Sequence, residues 1–171
     1  MAEQNVSYSI KQSDGSYKEL RMKAYDLNGH GTDNGPNSVL LSGRAIGTTI
    51  GANSIAEGLS TTASGNISHA EGYYTTASGN RSHAEGLSTT ASGSYASHAE
   101  GNSTTASGDS SHAEGLSTTA SGNYASHAEG LSTTASGDTS HAEGCYTTAS
   151  DDSSHAEGYY TTASGYASHA E

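Results

Sequence analysis

Histidine and glutamate recur together in this 171-residue chain, two positions apart, in a block that reads Ser-His-Ala-Glu-Gly. Imidazole nitrogens and carboxylate oxygens carry protons and bind metal ions, so a repeated pair of them has the chemistry of a buffer or a cation site. If the block is a β-strand, side chains two apart share one face and form a column. The predicted His/Glu column comprises His69, Glu71, His83, Glu85, His98, Glu100, His112, Glu114, His127, Glu129, His141, Glu143, His155 and Glu157.

The chemistry of this column depends on how closely its members approach one another. Zinc needs three or four convergent ligands, which a column offers only if strands or subunits bring the side chains together. A solvated face with cross-strand attraction is the simpler reading, and no metal or other cofactor is assigned. Because carboxylates stacked about 4.8 Å apart repel, we predict raised histidine pKa values. The fold would then be most stable in mild acid.

Serine, histidine and glutamate in one block suggest a nucleophilic triad, but their spacing argues against it. Ser68 and His69 are adjacent, so on a strand they point to opposite faces and a nucleophile would not meet its base. An enzyme normally needs its active site once, whereas this block recurs along the chain. We predict that the protein is not an enzyme and assign no catalytic residue. His30 is read as part of a loop.

A repeat of 14 or 15 residues carries these side chains. Each unit pairs the first block with a second that reads Thr-Thr-Ala-Ser-Gly, as at residues 75–79, and alanine and glycine recur within each unit at a spacing of seven. Frequent glycine excludes long helices, and a single proline excludes collagen. Disorder of the isolated monomer is an alternative. The fixed positions of alanine, glycine and β-branched threonine argue against it.

Two short strands in each unit predict a β-solenoid with one coil per repeat. Alternation places Ser68, Ala70 and Gly72 on one face of the first strand, and the Thr, Ala and Gly of residues 75–79 on one face of the second. The two faces of small residues would meet across a narrow interior. Glycine would supply backbone freedom near the corners, and larger side chains would point outward.

The outward Thr and Ser of the second block form another regular array. Such an array resembles the ice-binding faces of some antifreeze proteins, although those typically carry two threonines where this chain has Thr and Ser. Threonine also suits any pleated surface. Binding of ice by this array, or of metal by the other, is the alternative function. The predicted Thr/Ser column comprises Thr62, Ser64, Thr76, Ser78, Thr90, Ser92, Thr105, Ser107, Thr119, Ser121, Thr134, Ser136, Thr148, Ser150, Thr162 and Ser164.

An interior of alanine and serine buries little apolar area, and the chain has no Phe and no Trp. Self-association is the expected remedy. The position after each Glu-Gly corner is mostly bulky, and these side chains either pack between subunits or stack along one subunit. Tyrosines such as Tyr73, Tyr74 and Tyr166 are candidates for adhesive contacts or for packing at corners. The candidate inter-subunit column comprises Leu59, Tyr73, Leu87, Leu116, Leu131, Cys145 and Tyr159.

The net charge of −12 comes entirely from the repeats. Residues 1–53 contain five basic and five acidic residues, whereas the remainder contains thirteen acidic residues and one basic residue, Arg81. An acidic surface argues against nucleic-acid binding, which needs clustered Lys and Arg. The chain also lacks an apolar run of the length that a membrane span or a signal peptide needs, so we predict no membrane insertion.

The pattern Ala-x-Gly-x-x-Ser-x-Ala-x-Gly at residues 63–72 resembles the head repeats of YadA-like trimeric autotransporter adhesins, and is similar to repeats in phage tail and appendage proteins. The resemblance covers about residues 38–171. It implies a left-handed parallel β-roll in which three chains associate side by side. Family strands commonly carry two aliphatic residues that face the other subunits, where this chain has pairs such as His83 and Glu85. The His/Glu column therefore either lines the subunit contact or faces water.

The first part of the chain differs from the repeats. Alternation in residues 6–11 and 17–22 around Asp14-Gly15 predicts a β-hairpin. We therefore predict two units: residues 1–37, a hairpin with a Gly/Asn/Asp-rich loop that serves as a cap or attachment, and residues 38–171, the β-roll. The sequence stops within a repeat, which suggests a fragment of a longer fibre or a chain that stacks end to end.

Taken together, these features predict an all-β homotrimer that works as a structural or adhesive fibre or head module. Its repeats would present uniform faces on a rigid rod about 40 Å long. The expected location is extracellular, on a bacterial surface or a virion appendage. The expected partners are other copies of the chain and a host surface protein or glycan.

Overall fold

The computed structural model describes residues 5–11, 17–23, 39–40 and 50–171, and this part of the chain contains strands and turns but no helix. The all-β prediction is therefore confirmed. The strands are β1 (Asn5–Lys11), β2 (Tyr17–Lys23), β3 (Val39–Leu40), β4 (Ile55–Leu59), β5 (Thr62–Ala63), β6 (His69–Tyr73), β7 (Thr76–Ala77), β8 (His83–Leu87), β9 (Thr90–Ala91), β10 (His98–Asn102), β11 (Thr105–Ala106), β12 (His112–Leu116), β13 (Thr119–Ala120), β14 (His127–Leu131), β15 (Thr134–Ala135), β16 (His141–Cys145), β17 (Thr148–Ala149), β18 (His155–Ala156), β19 (Thr162–Ala163) and β20 (His169–Ala170).

Beyond the first two strands, the described chain forms two parallel sheets, one of ten strands and one of eight. The ten-stranded sheet contains β3 and the even-numbered strands from β4 to β20, and the eight-stranded sheet contains the odd-numbered strands from β5 to β19. Neighbouring strands are one coil apart and pair in register, so that His98 lies beside His112 and Thr105 beside Thr119. The fold is a parallel β-solenoid of about eight coils, as the repeat predicts.

The interior of the solenoid is lined by small side chains from both sheets. Ser68 and Ala70 of the first block are buried, and so are Thr75 and Ala77 of the second, which confirms the predicted inward set. Apart from Ile50, no buried residue in the described chain is larger than threonine. The core therefore depends on close backbone approach and contains little apolar side-chain volume.

Glycine occupies two different environments in each coil. Gly79 is buried, and a Cβ atom there would lie 1.9 Å from the carbonyl oxygen of Gly93 in the next coil. Alternation predicts Gly72 on the inward face as well, but this is wrong: Gly72 lies at an exposed corner with a φ of +111°. The strand bends there, so the alternation of faces ends at Glu71.

The buried hydroxyl groups fall into two classes. Most of the serine hydroxyls donate a hydrogen bond to the glycine carbonyl three or four residues earlier, as Ser82 does to Gly79 and Ser111 to Gly108, both at 2.7 Å. Ser154 donates to the Asp151 carbonyl instead. The buried threonine hydroxyls accept and donate no hydrogen bond. Threonine therefore fills space, whereas serine closes the corner. The unpaired hydroxyls belong to Thr61, Thr75, Thr89, Thr104, Thr118, Thr133 and Thr147.

Strands β1 and β2 pair antiparallel, with Asn5 opposite Lys23 and Lys11 opposite Tyr17. Strand β3 pairs parallel with β4 and so forms the end strand of the ten-stranded sheet. The predicted Gly/Asn/Asp-rich loop, with His30, lies outside the described residues. The division into two units and the capping role of the hairpin stay predictions.

Candidate functional site

The His/Glu column lies on the outer surface of the ten-stranded sheet. In β8, His83 and Glu85 point outward while Ala84 between them is buried. In-register pairing then places each histidine beside the histidine of the next coil, and each glutamate beside the next glutamate along β4 to β16. Every residue predicted for the column takes its place in it. Glu57 and His169 extend it at its two ends.

The imidazole rings of the column form a continuous stack from His69 to His169. Neighbouring ring centroids are 4.8 or 4.9 Å apart, and the angles between ring planes range from 0° to 21°. This spacing is the distance between hydrogen-bonded strands. The backbone ladder therefore sets the position of each ring.

The Nε2 atom of each histidine is directed towards carboxylates but makes no hydrogen bond. His98 Nε2 lies 3.6 Å from Glu100 and 3.9 Å from Glu85, and His69 Nε2 lies 3.6 Å from Glu71 and 3.7 Å from Glu57. These distances exceed those of protein hydrogen bonds. The Nε2 atoms that are both closed to solvent and unpaired belong to His69, His83, His98, His112, His127, His141 and His155.

The predicted rise in histidine pKa is wrong for His83, His98 and His141. Burial lowers the pKa of each of these imidazoles below its ordinary value, and the adjacent imidazoles of the stack lower it further. Neighbouring carboxylates act in the opposite direction but are outweighed. The expectation from sequence counted the attraction of the glutamates and omitted the burial of the imidazoles and the repulsion between stacked rings.

Several groups in the column bring three metal-binding side chains together. In each group the candidate ligand atoms lie within 4.8 Å of one another. Two of the groups combine two imidazoles with one carboxylate, and the others combine one imidazole with two carboxylates. The groups are His98, Glu100 and His112; His127, Glu129 and His141; Glu57, His69 and Glu71; Glu71, His83 and Glu85; and Glu157, His169 and Glu171.

The Thr/Ser column lies on the outer surface of the eight-stranded sheet. Its threonines are half-buried except Thr162, and its serines are exposed except Ser64. Each strand of this sheet covers only the Thr and the following Ala, as in Thr76–Ala77, so the serine comes after the strand ends. The array is therefore a file of half-buried threonines beside a file of more exposed serines, whose backbone N–H groups bond to the next coil, as Ser92 does to the Ala106 carbonyl at 2.9 Å.

The candidate inter-subunit column forms an exposed line at the end of the longer strands. Leu59, Leu87 and Leu116 are 56%, 39% and 44% exposed, and Tyr159 is 68% exposed. Tyr73 is exposed as well, whereas Leu131 and Cys145 are half-buried. The side chains line up in register, except that Asn102 interrupts the bulky series. The result is a strip of mostly apolar side chains on the surface of a solenoid whose interior holds only small ones.

The first block separates its serine from its histidine. The Ser68 hydroxyl is buried and donates a hydrogen bond to the Gly65 carbonyl at 2.7 Å, while the His69 ring lies on the outer surface. The hydroxyl and the imidazole of one strand therefore lie on opposite faces, as alternation predicts.

The sequence reasoning missed a further column at the other corner of the coils. An Asn or Asp that follows the second-block glycine, or Asp151 in the glycine's place, accepts a hydrogen bond from the backbone of the preceding coil, as Asn80 Oδ1 does from the Asn66 N–H at 3.1 Å. The signal was present in the sequence as a recurrent Gly-Asn or Gly-Asp pair. The accepting residues are Asn66, Asn80, Asp109, Asn123, Asp138 and Asp152.

Comparison with protein families matches residues 70–96 and 99–125 to the YadA head domain repeat, in two copies. Each matched stretch begins at the inward alanine of a first block, so the match follows the register of the coils. A search of curated proteins found no match. The described residues include no helix long and apolar enough to cross a membrane.

Proposed function

We propose that this chain, whose repeats are YadA-like head repeats, is a non-enzymatic structural and adhesive module. Its coils set the length of a rigid rod, and three copies associate side by side. The left-handed course of the roll and the threefold association rest on the resemblance to the YadA-like adhesins. A surface-exposed location, on a bacterial cell or a phage appendage, follows from the same resemblance.

The exposed column of Leu and Tyr side chains is the observation that carries this proposal. Contiguous apolar strips are uncommon on monomeric proteins and mark interaction sites. Here the strip accompanies an interior of alanine, serine and threonine, which supplies little hydrophobic stabilisation. Covering the strip would add the apolar burial that the coils themselves lack.

A second copy of the chain is a suitable partner for the strip, because its own strip has the same spacing between side chains. Leu87 and Leu116 recur along the solenoid at multiples of the coil spacing, and any other copy carries the same residues at the same spacing. Two or three copies aligned in parallel would therefore match along their whole length. In this arrangement the outer faces of the rod remain free for a host protein or glycan. Exposed tyrosines such as Tyr95, Tyr124 and Tyr166 are the candidate contacts.

The proposal also assigns roles to the two units of the chain. Residues 38–171 form the roll, and residues 1–37 cap its first coil or attach it to a neighbouring component. A cap is physically useful because an open end of a solenoid presents unpaired backbone groups that invite further strands.

The strip can be tested with asparagine substitutions, because Asn102 already occupies one place in it. The double variant Leu87→Asn, Leu116→Asn should keep the solenoid and lose apolar contact between chains. Light scattering after size-exclusion chromatography should report a mass of three times 17.2 kDa for the parent chain and a smaller mass for the variant at the same concentration.

The matched control is the double variant Ser107→Asn, Ser121→Asn. It introduces the same residue, asparagine, at two exposed serines of the Thr/Ser column. It should leave the mass unchanged. A variant of the strip that associates as strongly as the parent would refute the role of Leu87 and Leu116 in assembly. Loss of association in the control alone would place the contact on the opposite sheet.

A further inference from the structure

We propose that the His/Glu column binds divalent zinc, at His98, Glu100 and His112 and at His127, Glu129 and His141. This goes beyond the proposed structural role, because a rod needs no metal to set its length. The inference starts from the unpaired Nε2 atoms of the column, which are closed to solvent and have no hydrogen-bond partner. Buried polar atoms without partners are uncommon and call for an explanation.

The separations within the column suit an ion between the side chains. The distance from Nε2 to the carboxylate of the same strand is 3.6 Å for both His98 and His127. This is long for a direct hydrogen bond and too short for a bridging water, which needs roughly 4.5 Å between its two partners. A zinc ion about 2.0–2.2 Å from each ligand atom would separate a nitrogen from an oxygen by roughly 3.4 Å in tetrahedral geometry.

The donor set selects the kind of metal. Each of the two groups offers two imidazole nitrogens and one carboxylate oxygen, with the ligand atoms within 4.8 Å of one another. Three protein ligands of this type, with a fourth position open to water, form a common zinc site. Calcium and magnesium prefer oxygen ligands throughout, so they fit these two groups poorly. The two rings of each group are stacked with centroids 4.8 Å apart, so one ring must turn out of the stack to direct its Nε2 lone pair at an ion held by the other ring.

The surroundings of the column favour binding of a cation. Metal ions bind the neutral form of imidazole through a ring nitrogen, and the Nε2 atoms of His98 and His141 are closed to solvent and make no hydrogen bond. Glu100 and Glu129 are about two-fifths exposed, so their carboxylates are able to swing aside while an ion enters. The chain also carries a net charge of −12, which raises the local concentration of cations.

The experiment is a titration of the full chain with ZnCl2 after treatment with a chelator, followed by isothermal titration calorimetry and metal analysis after dialysis. We expect two equivalents of zinc per chain from the two groups that contain two histidines. The variant His112→Gln, His141→Gln removes one imidazole from each group and should abolish these two equivalents. His30→Gln removes the one histidine that lies outside the column and should leave binding unchanged.

A second variant distinguishes loss of a metal ligand from disruption of the stacked imidazole rings. Glu100→Gln, Glu129→Gln keeps every imidazole and alters one ligand in each group. Loss of a partner outside the first coordination shell already weakens metal binding by about 10–100-fold, so this variant should lose at least about tenfold in affinity. Circular dichroism spectra identical to those of the parent would show that the solenoid is retained.

Absence of zinc binding by the parent chain would overturn the inference, and so would unchanged binding by either column variant. A decrease in His30→Gln equal to that in the column variants would also overturn it. None of these results would bear on the mass of the assembly. Failure of the metal site is therefore distinguishable from failure of the proposed rod.

Discussion

Gly86 illustrates how a single residue limits the approach of two coils. Its φ is +108°, and a Cβ atom there would lie 2.2 Å from the carbonyl oxygen of Gly101. The neighbouring atom is backbone, so it cannot move aside without opening the ladder between β8 and β10. Glycine is therefore required at this corner by conformation and by space together.

The substitution Gly86→Ala should accordingly lower the free energy of unfolding by at least about 2 kcal/mol. The control is Gly165→Ala, where the added methyl would meet Ser168 at an ordinary distance of 3.8 Å. The control should change stability by less than about 0.5 kcal/mol. Denaturation in urea measures both. Equal effects would show that the corner glycines are not specially constrained.

The histidine column gives stability a defined dependence on pH. His83, His98 and His141 have pKa values lowered by burial and by neighbouring imidazoles, while Glu71, Glu100, Glu114, Glu129 and Glu143 act against the shift. The unfolded chain therefore binds more protons than the folded chain just below the ordinary histidine pKa of about 6.5. The stabilisation is complete above that value and is lost as the pH falls below it.

We expect the melting temperature in chelator-treated buffer to fall when the pH is lowered from about 7.5 to about 5.5. This window lies above the ordinary range of glutamate, so the histidines dominate it. Differential scanning calorimetry at several pH values provides the measurement. A melting temperature that rises in mild acid would favour the opposite expectation, which the sequence alone suggested.

At the scale of the strand pair, serine and threonine divide the interior between them. Ser111 Oγ donates to the Gly108 carbonyl at 2.7 Å, whereas the buried Thr104 hydroxyl has no partner. A buried hydroxyl without a hydrogen bond costs free energy, and its replacement by a methyl group of similar shape removes that cost. Removal of the hydroxyl oxygen should therefore change the free energy of unfolding differently at the buried serines and at the buried threonines.

We predict that Thr104→Val leaves the free energy of unfolding unchanged or raises it by about 1 kcal/mol. Ser111→Ala should lower it by about 1 kcal/mol, because the Gly108 carbonyl then loses the shorter of its two hydrogen bonds and keeps only the Ser111 N–H at 3.2 Å. Urea denaturation of the two variants beside the parent distinguishes the effects. A loss of stability in Thr104→Val would indicate that its hydroxyl is paired in solution.

The sequence predicted the elements better than it predicted their ends. Two strands per coil and the inward positions of Ser68 and Ala70 follow from alternation and from the seven-residue spacing. The corner at Gly72 did not follow, because alternation holds only while the backbone stays extended. Ser88 and Ser103 adopt positive φ values of 55° and 58°, which residue type alone does not signal.

In the candidate site, too, part of the arrangement could be predicted from sequence and part could not. Membership of the His/Glu column could be predicted, because residues two apart on a strand share a face. The stacking of the rings, the 3.6 Å separation of His98 Nε2 from Glu100 and the burial of Nε2 required the register of neighbouring strands. Burial and the neighbouring imidazoles reversed the expected direction of the pKa shift at His83, His98 and His141.

At the scale of the molecule, the solenoid forms its backbone hydrogen bonds while burying few large side chains. Parallel ladders pair the backbone groups from coil to coil, and the buried residues beyond Ile50 are no larger than threonine. The bulky residues stand outside, in the column that includes Leu59 and Tyr159. Association through that column would bring these side chains out of water and stabilise the rod.

Sedimentation equilibrium of the full chain over a range of concentrations is the most direct test of this account. A rod completed by its own copies predicts a mass of three times 17.2 kDa that persists on dilution. A mass of 17.2 kDa at every concentration would contradict the account, because the exposed column would then have no partner among copies of the chain.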